Sequence, residues 1–261
     1  MSSRSPAAVL SFAASDPTGG AGIQADLLTI AALGCHPLSV VTAITVQDTH
    51  GVERMTAIDS SLITAQAHRL LEDAPVAAFK AGVLGSAQNV RAVSEVIAKH
   101  SAVPFVVDPV LASGRGDSLA QGETIEALRE FILPQTTMLT PNSLEARRLA
   151  DGANDLAECA KRLLDQGCEY VLITGTHEQG SDVVNTLYDA TGVVREDRWP
   201  RLSATYHGSG CTLASAIAAE LAKGLEPPEA ARAAQRFTWE ALAAGFRLGG
   251  GQLLPNRFFR S

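Results

Sequence analysis

The residues best suited to chemistry in this sequence fall in short glycine-containing segments that precede helical patterns. In His207-Gly-Ser-Gly-Cys-Thr-Leu213, the residues Gly208, Ser209 and Gly210 would expose consecutive N–H groups at the positive end of a helix, a cradle for an anion. Cys211 projects at the same place. A helix N-terminus lowers a thiol's pKa, so the expectation is a partial thiolate at neutral pH. The segment therefore reads as an anion hole containing a base.

Other segments carry further polar groups. Ser15-Asp-Pro-Thr-Gly-Gly-Ala-Gly22 can cradle a phosphate or let backbone approach a flat ligand. It is no dinucleotide fingerprint, because Gly20 and Gly22 supply two glycines of GxGxxG and Ala25 stands at the third; nor does a Gly-Lys-Ser/Thr follow. Asp26, soon after, suits either a ligand or the positive end of a helix. Gln47, in Gln47-Asp-Thr-His-Gly51, offers a donor and an acceptor that match an aminopyrimidine-like edge, or simply belongs to a polar turn. Asp108 leaves an apolar run and is a natural ligand for Mg²⁺ or its water, with a small-residue stretch to 117 that could form a mobile cover. Asn142 and Glu145 have capping-box spacing; alternatively Glu145 lies in reach of a magnesium water network.

The elements that must position these groups follow from periodicity. Apolar runs at 8–13, 38–46, 52–58, 77–81, 105–107, 138–140 and 170–174 predict strands. Ile63, Ala67, Leu70 and Leu71 mark a helix, as do Val90, Val93 and Ile97; Ile125, Leu128 and Ile132 mark one that stops before Pro134. Further helices are expected around Leu156–Leu164, Leu213–Leu221 and Pro228–Leu248. Asp182–Tyr188 and Val193–Arg198 flank a turn and predict an antiparallel hairpin. Strand–helix alternation implies an α/β fold with a mostly parallel sheet, helices on both faces and one late antiparallel edge. One domain over residues 1–261 is the economical reading, with the glycines at 249–251 loosening the tail. Ligands of such sheets bind beyond the carboxyl ends of the strands, where the polar loops fall.

Composition narrows the function classes. The 261 residues are 46% hydrophobic and 19% charged, ample for a large core and incompatible with disorder. The formal net charge is −7 with no basic run, which argues against a nucleic-acid partner. No apolar stretch approaches the length of a membrane span. The run at 6–14 leads straight into Asp16 and glycines, so it reads as a buried strand and not a signal peptide. Cys35, Cys159, Cys168 and Cys211 form no CxxC pair; scattered thiols suit a reducing, cytoplasmic setting, and the first three read as core residues.

Taken in order, the motifs resemble the hydroxymethylpyrimidine/phosphomethylpyrimidine kinases of the ribokinase superfamily. The resemblance runs from about Ala8 to Lys223, through Asp16-Pro-Thr-Gly-Gly-Ala-Gly-Ile-Gln-Ala-Asp26, the block from Thr42 to Gly51, Gly82-Val-Leu84, Asp108-Pro-Val110, Thr140-Pro-Asn142 with Glu145, and His207–Leu213. It implies a three-layer ribokinase-like fold, ATP and Mg²⁺ as cofactors, and successive phosphorylation of 4-amino-5-hydroxymethyl-2-methylpyrimidine and its monophosphate for thiamine synthesis. It implies that Asp26 and Gln47, with Gly22 and Val83, hold the pyrimidine. Cys211 would stand where related sugar kinases keep an Asp base, and Gly208–Cys211 would form the anion hole. Asn142 and Glu145 match the superfamily's magnesium motif. Asp108, Thr174, Gly175 and His207 would serve the nucleotide. The resemblance also implies a homodimer.

Departures from the family are specific. Where many members carry Lys-Gly-Gly-His, this chain has Thr174-Gly-Thr-His177, so a phosphate-binding lysine is missing and His177 or Arg115 is the candidate replacement. The family's usual tail histidine is absent from 250–256, and the tail is given no role. Pyridoxal or pyridoxine kinase activity is the nearest alternative. A hydrolase using Cys211 as nucleophile with His207 is more distant, and a non-catalytic nucleotide-binding module more distant still.

Overall fold

In the computed structural model, residues 5–112, 119–120 and 122–260 are described. Nine strands form one sheet: β1 (Ala8–Ser15), β2 (His36–Gln47), β3 (Val52–Ala57), β4 (Val76–Ala81), β5 (Phe105–Val107), β6 (Met138–Leu139), β7 (Tyr170–Thr174), β8 (Asp182–Asp189) and β9 (Gly192–Pro200). Their order is β3-β2-β1-β4-β5-β6-β7-β8-β9. The central strands β2, β1, β4, β5, β6 and β7 are parallel. The late hairpin β8–β9 adds the expected antiparallel edge. A second antiparallel edge was not foreseen: β3 folds back on β2, because Asp48 Oδ1 accepts the N–H groups of His50 and Gly51 and closes a tight turn.

Strand side chains alternate between two cores. Leu10, Phe12, Phe79, Phe105, Val107, Leu139 and Val171 face one layer, formed by α2 (Ser60–Asp73), α3 (Ala87–Ala98), α4 (Gly122–Ala127), α5 (Ser143–Leu149) and α6 (Leu156–Asp165). Val9, Ala78, Val106, Met138 and Leu172 face the other, formed by α1 (Gly22–Ala32), α7 (Ser209–Ala222) and α8 (Pro227–Ala243). This is the period of two that a strand imposes, buried on both faces. Alanines line the buried sides of α7 and α8, which lets these helices pack closely despite the scarcity of aromatics.

Two boundaries differ from the periodicity. Beyond α4 the chain keeps coiling, through a π-helical turn at 128–132 and a 3₁₀ turn at 133–135 that contains Pro134. Proline is tolerated there because the first residues of a turn have no N–H partner to lose. Helix α8 ends at Ala243, short of 248, because Phe246 leaves to pair antiparallel with Leu254. Cys35, Cys159 and Cys168 are buried, as core residues should be.

Candidate active site

All six parallel strands end at one edge of the sheet, and the chain reverses its direction of travel between β1 and β4. A crevice at such a switch point is where ligands of open α/β sheets bind. The start of α7 enters it from the side. Gly208 caps this helix at φ 84°, and a Cβ on it would lie 1.9 Å from the carbonyl oxygen of Gly20. Only glycine permits both the left-handed turn and this contact of two loops. Gly22 is equally constrained, at φ 60° with a notional Cβ 2.3 Å from Ala14 O. Its N–H lies near the Cys211 thiol. The first turns of α1 and α7 thus meet tip to tip.

Cys211 lies beside the Asp108 carboxyl, close enough for each to shift the other's proton affinity. That carboxyl also lies over Gly210, whose notional Cβ would be 3.5 Å from both its oxygens. Burial and the charge of Asp108 push the Cys211 thiol well above its ordinary value, against the pull of Lys80. This environment favours the thiol over the thiolate expected from the helix start alone. The helix dipole acts over one turn, and desolvation beside a carboxylate outweighs it.

Lys80 is the residue that sequence reasoning missed. It sits in the middle of β4, fully buried, and both oxygens of Asp26 accept from its Nζ at 2.9 Å. Asp26 also accepts from the hydroxyls of Ser11 and Ser215. Both Asp26 oxygens are thus engaged inside the protein, so a bond to a pyrimidine would have to compete with Lys80, Ser11 or Ser215. Asp26 does not serve the helix dipole, since α1 begins at Gly22 and has no acid in its first turn. A lysine within the apolar run 76–81 was the available signal, because a buried cation in a central strand needs a buried anion.

Gln47 ends β2 with its amide 3.1 Å from His207 Nε2. The same nitrogen is 2.8 Å from Asp16 Oδ2. Burial tends to raise the Asp16 pKa, but hydrogen bonds from His207, Ala21 and Thr18 hold it below the usual carboxylate value. With Asp16 ionised, the single Nε2–H donates to it, which leaves His207 Nε2 no lone pair for the Gln47 nitrogen beside it. The Gln47 NH₂ is then left to donate into the crevice. Engagement of His207 by Asp16 also counts against a Cys211–His207 nucleophilic pair.

The remaining residues flank this centre. Val83 lines a shallow cleft with Gly82, Pro109 and Val110. Asn142 Oδ1 accepts the N–H groups of Leu144 and Glu145 at 2.9 Å, and Glu145 Oε2 returns to the Asn142 N–H at 3.0 Å. The capping box is therefore formed, and it occupies the Asn142 side-chain oxygen. Glu145 keeps a second role. Burial and the nearby Asp108 charge push its pKa up to about 8. Asp108 Oδ2 is buried without a hydrogen-bond partner among the described residues. Two buried carboxylates that repel each other, one with an orphaned oxygen, fit a divalent cation.

The loop after β7 differs from expectation. The Gly175 N–H donates to Asn185 Oδ1 at 3.2 Å and the Thr174 N–H to Pro141 O at 3.0 Å, so neither is left for a phosphate. A Cβ on Gly175 would lie 2.3 Å from Val184 O, which explains the glycine by packing. His177 on this loop is exposed, and Arg115 lies outside the described residues. The C-terminal tail, given no role from sequence, lies against the site. The glycines at 249–251 do not loosen it; Gly251 packs on Thr49, where any Cβ would clash. Among the described residues no helix is long and apolar enough to cross a membrane.

Comparison with known proteins agrees with this geometry. The chain is 43% identical to the hydroxymethylpyrimidine/phosphomethylpyrimidine kinase of Streptomyces coelicolor over 254 residues, covering 94% of this chain and 92% of that protein. Pyridoxal kinase of Bacillus subtilis, solved as an ADP complex, superposes with a TM-score of 0.90 at 31% identity, over 97% of this chain and 98% of its own. Phosphomethylpyrimidine kinase of Clostridium difficile superposes with a TM-score of 0.79 at 33% identity, over 90% and 99%. Residues 16–256 match the family profile described as phosphomethylpyrimidine kinase. With a ribokinase-like sheet, glycine-lined helix starts at its switch point and this match over nearly all its length, the chain belongs to the phosphomethylpyrimidine kinase family.

Proposed function

We propose that this chain, acting as one catalytic domain, transfers the γ-phosphoryl group of ATP to the hydroxymethyl oxygen of 4-amino-5-hydroxymethyl-2-methylpyrimidine, then phosphorylates the monophosphate to the diphosphate for thiamine synthesis. The observation that carries this reading is the α7 start, Gly208–Cys211, facing Asp108 across the crevice in a chain that matches the family from residue 16 to 256. Phosphoryl transfer needs positioning and charge neutralisation more than covalent work. The N–H groups of Gly208, Ser209 and Gly210 neutralise charge on the phosphoryl group. Cys211, a protonated thiol, orients the attacking oxygen. In the second step that oxygen belongs to a phosphate and brings its own charge. Gln47 donates to a pyrimidine ring nitrogen, with Val83 and the Gly22 backbone against the ring.

Asp108 and Glu145 are the residues that would hold Mg²⁺, which takes one or two carboxylates together with substrate phosphates. The ion supplies neutralisation of the phosphate charges. The setting is the cytoplasm, as the free thiols suggest. We further propose a homodimer, supported by Ile44 and Val46, which present 54% and 41% of their surface to solvent on β2.

The likeness to a pyridoxal kinase fold favours one second reading, phosphorylation of pyridoxal. The test is turnover with ATP and Mg²⁺ on the pyrimidine alcohol, its monophosphate and pyridoxal. Both pyrimidines should be phosphorylated; turnover of pyridoxal alone would replace the first reading with the second.

A further inference from the structure

The C-terminal segment crosses the loops that frame the crevice. The Gly251 and Gln252 N–H groups donate to Thr49, beside Gln47, at 3.1 and 2.9 Å. The His207 N–H donates to Leu253 O, and the Leu253 N–H to Thr205 O. Leu254 is buried against Gly20, where a Cβ would come within 2.7 Å of it. The segment ends its crossing at Arg257, a charged side chain only 5% exposed.

The guanidinium of Arg257 makes no ion pair within bonding distance among the described residues; it is spent on loop groups. Nη2 donates to Gly20 O at 2.6 Å and Nη1 to Gly19 O at 3.3 Å. Nε donates to Thr212 Oγ1 at 3.1 Å, and that hydroxyl donates in turn to Gly208 O at 2.8 Å. One planar fork thereby fixes the peptide planes on both sides of the Gly20–Gly208 contact. Holding the Gly19 and Gly20 carbonyls fixes the peptide planes of the Gly20 and Ala21 N–H groups, which donate to Thr18 Oγ1 and Asp16 Oδ2, and the bond from Thr212 to Gly208 O fixes the plane of the Ser209 N–H at the α7 start. Glycine peptides flip easily, so this orientation requires an external hold. A fork satisfied by three acceptors supplies one that a lysine cannot match.

We propose that Arg257 is a positioning residue, which locks the glycine loop before α1 to the anion hole at the start of α7 and so selects for the terminal phosphoryl group of the nucleotide. Its positive charge lies behind that hole, within electrostatic reach of Cys211, Asp26 and Asp16. The tail is thereby part of the site, although it touches no reacting atom.

The inference rests on the kinase reading, and the experiment separates the two. Full-length wild type, Arg257→Met and Arg257→Lys are titrated by calorimetry with ADP·Mg²⁺ and with a non-hydrolysable ATP analogue, and kcat and KM are measured on the pyrimidine alcohol. The preference for triphosphate over diphosphate should fall about tenfold in Arg257→Met. The ADP Kd should stay within about twofold, and kcat should fall by about the same tenfold. Arg257→Lys should be intermediate, and it carries the comparison if the Met variant does not accumulate. A purely structural role would weaken both nucleotides equally, or lower the thermal midpoint with the preference unchanged; either result overturns the proposal. Wild type that binds neither nucleotide would remove the kinase reading, and the proposal with it.

Discussion

Cys211 shows how one side chain takes its chemistry from what surrounds it. A helix start favours a thiolate, but the Asp108 carboxyl and burial favour the thiol. A raised pKa means that the proton stays on through the neutral range and leaves only above the ordinary thiol value. The first phosphorylation should therefore show no loss of rate on acidification from about pH 8 to 6 that a depressed thiolate would impose. A kcat profile with a descending acid limb in that range, absent from Cys211→Ala, would restore the thiolate base. As an orienting group, Cys211 should contribute about a hundredfold to the first step and less to the second. Separate kcat values for the two acceptors in Cys211→Ala check this. Asp26 calls for a different measurement. Removing its charge strands the buried Lys80, so Asp26→Asn should lower stability by about 3–5 kcal/mol in denaturant unfolding. A variant of native stability with only a raised KM for the pyrimidine would return Asp26 to the substrate.

Element boundaries decide how Asn142 and Glu145 divide their labour. The capping box uses the Asn142 side chain wholly within α5, while Glu145 faces both the N-cap and Asp108. Asn142→Ala should then cost about 1 kcal/mol of stability and leave the Mg²⁺ requirement unchanged. Glu145→Gln should raise the Mg²⁺ concentration for half-maximal turnover without unfolding the chain. Thermal melts alongside Mg²⁺ titrations of both variants test the division. Equal effects of the two on Mg²⁺ would mean that the cap geometry, and not the carboxylate, holds the metal.

At the scale of the whole molecule, the sheet has helices over both faces of its centre, but β2 runs beyond that cover. Val40 on β2 is buried, whereas Ile44 and Val46, on the same face of the strand, are exposed. If a second copy of the chain covers them, sedimentation velocity should give a dimer for wild type and a monomer for Ile44→Asp, since burying an unpaired charge is strongly unfavourable. A wild-type monomer at micromolar concentration would remove the homodimer from the proposal.

The sequence by itself determined whatever depends on neighbours along the chain. Strand and helix order follows from apolar periodicity, the polar segments fall at strand ends, and the Asn142–Glu145 cap closes over three residues. The β3 edge was harder to read, since a short strand does not show which partner it takes or in which direction. Tertiary structure alone decided the charges at the centre of the site. Lys80 meets Asp26 across 54 residues, His207 meets Asp16 across 191, and Arg257 meets Gly20 across 237. Each of these pairs forms because the fold removes both partners from water at one place. Burial strengthens electrostatic interactions beyond anything a local pattern records. That is also why the direction of the Cys211 shift could not be read from a helix start: its sign belongs to Asp108 and to the depth of the crevice.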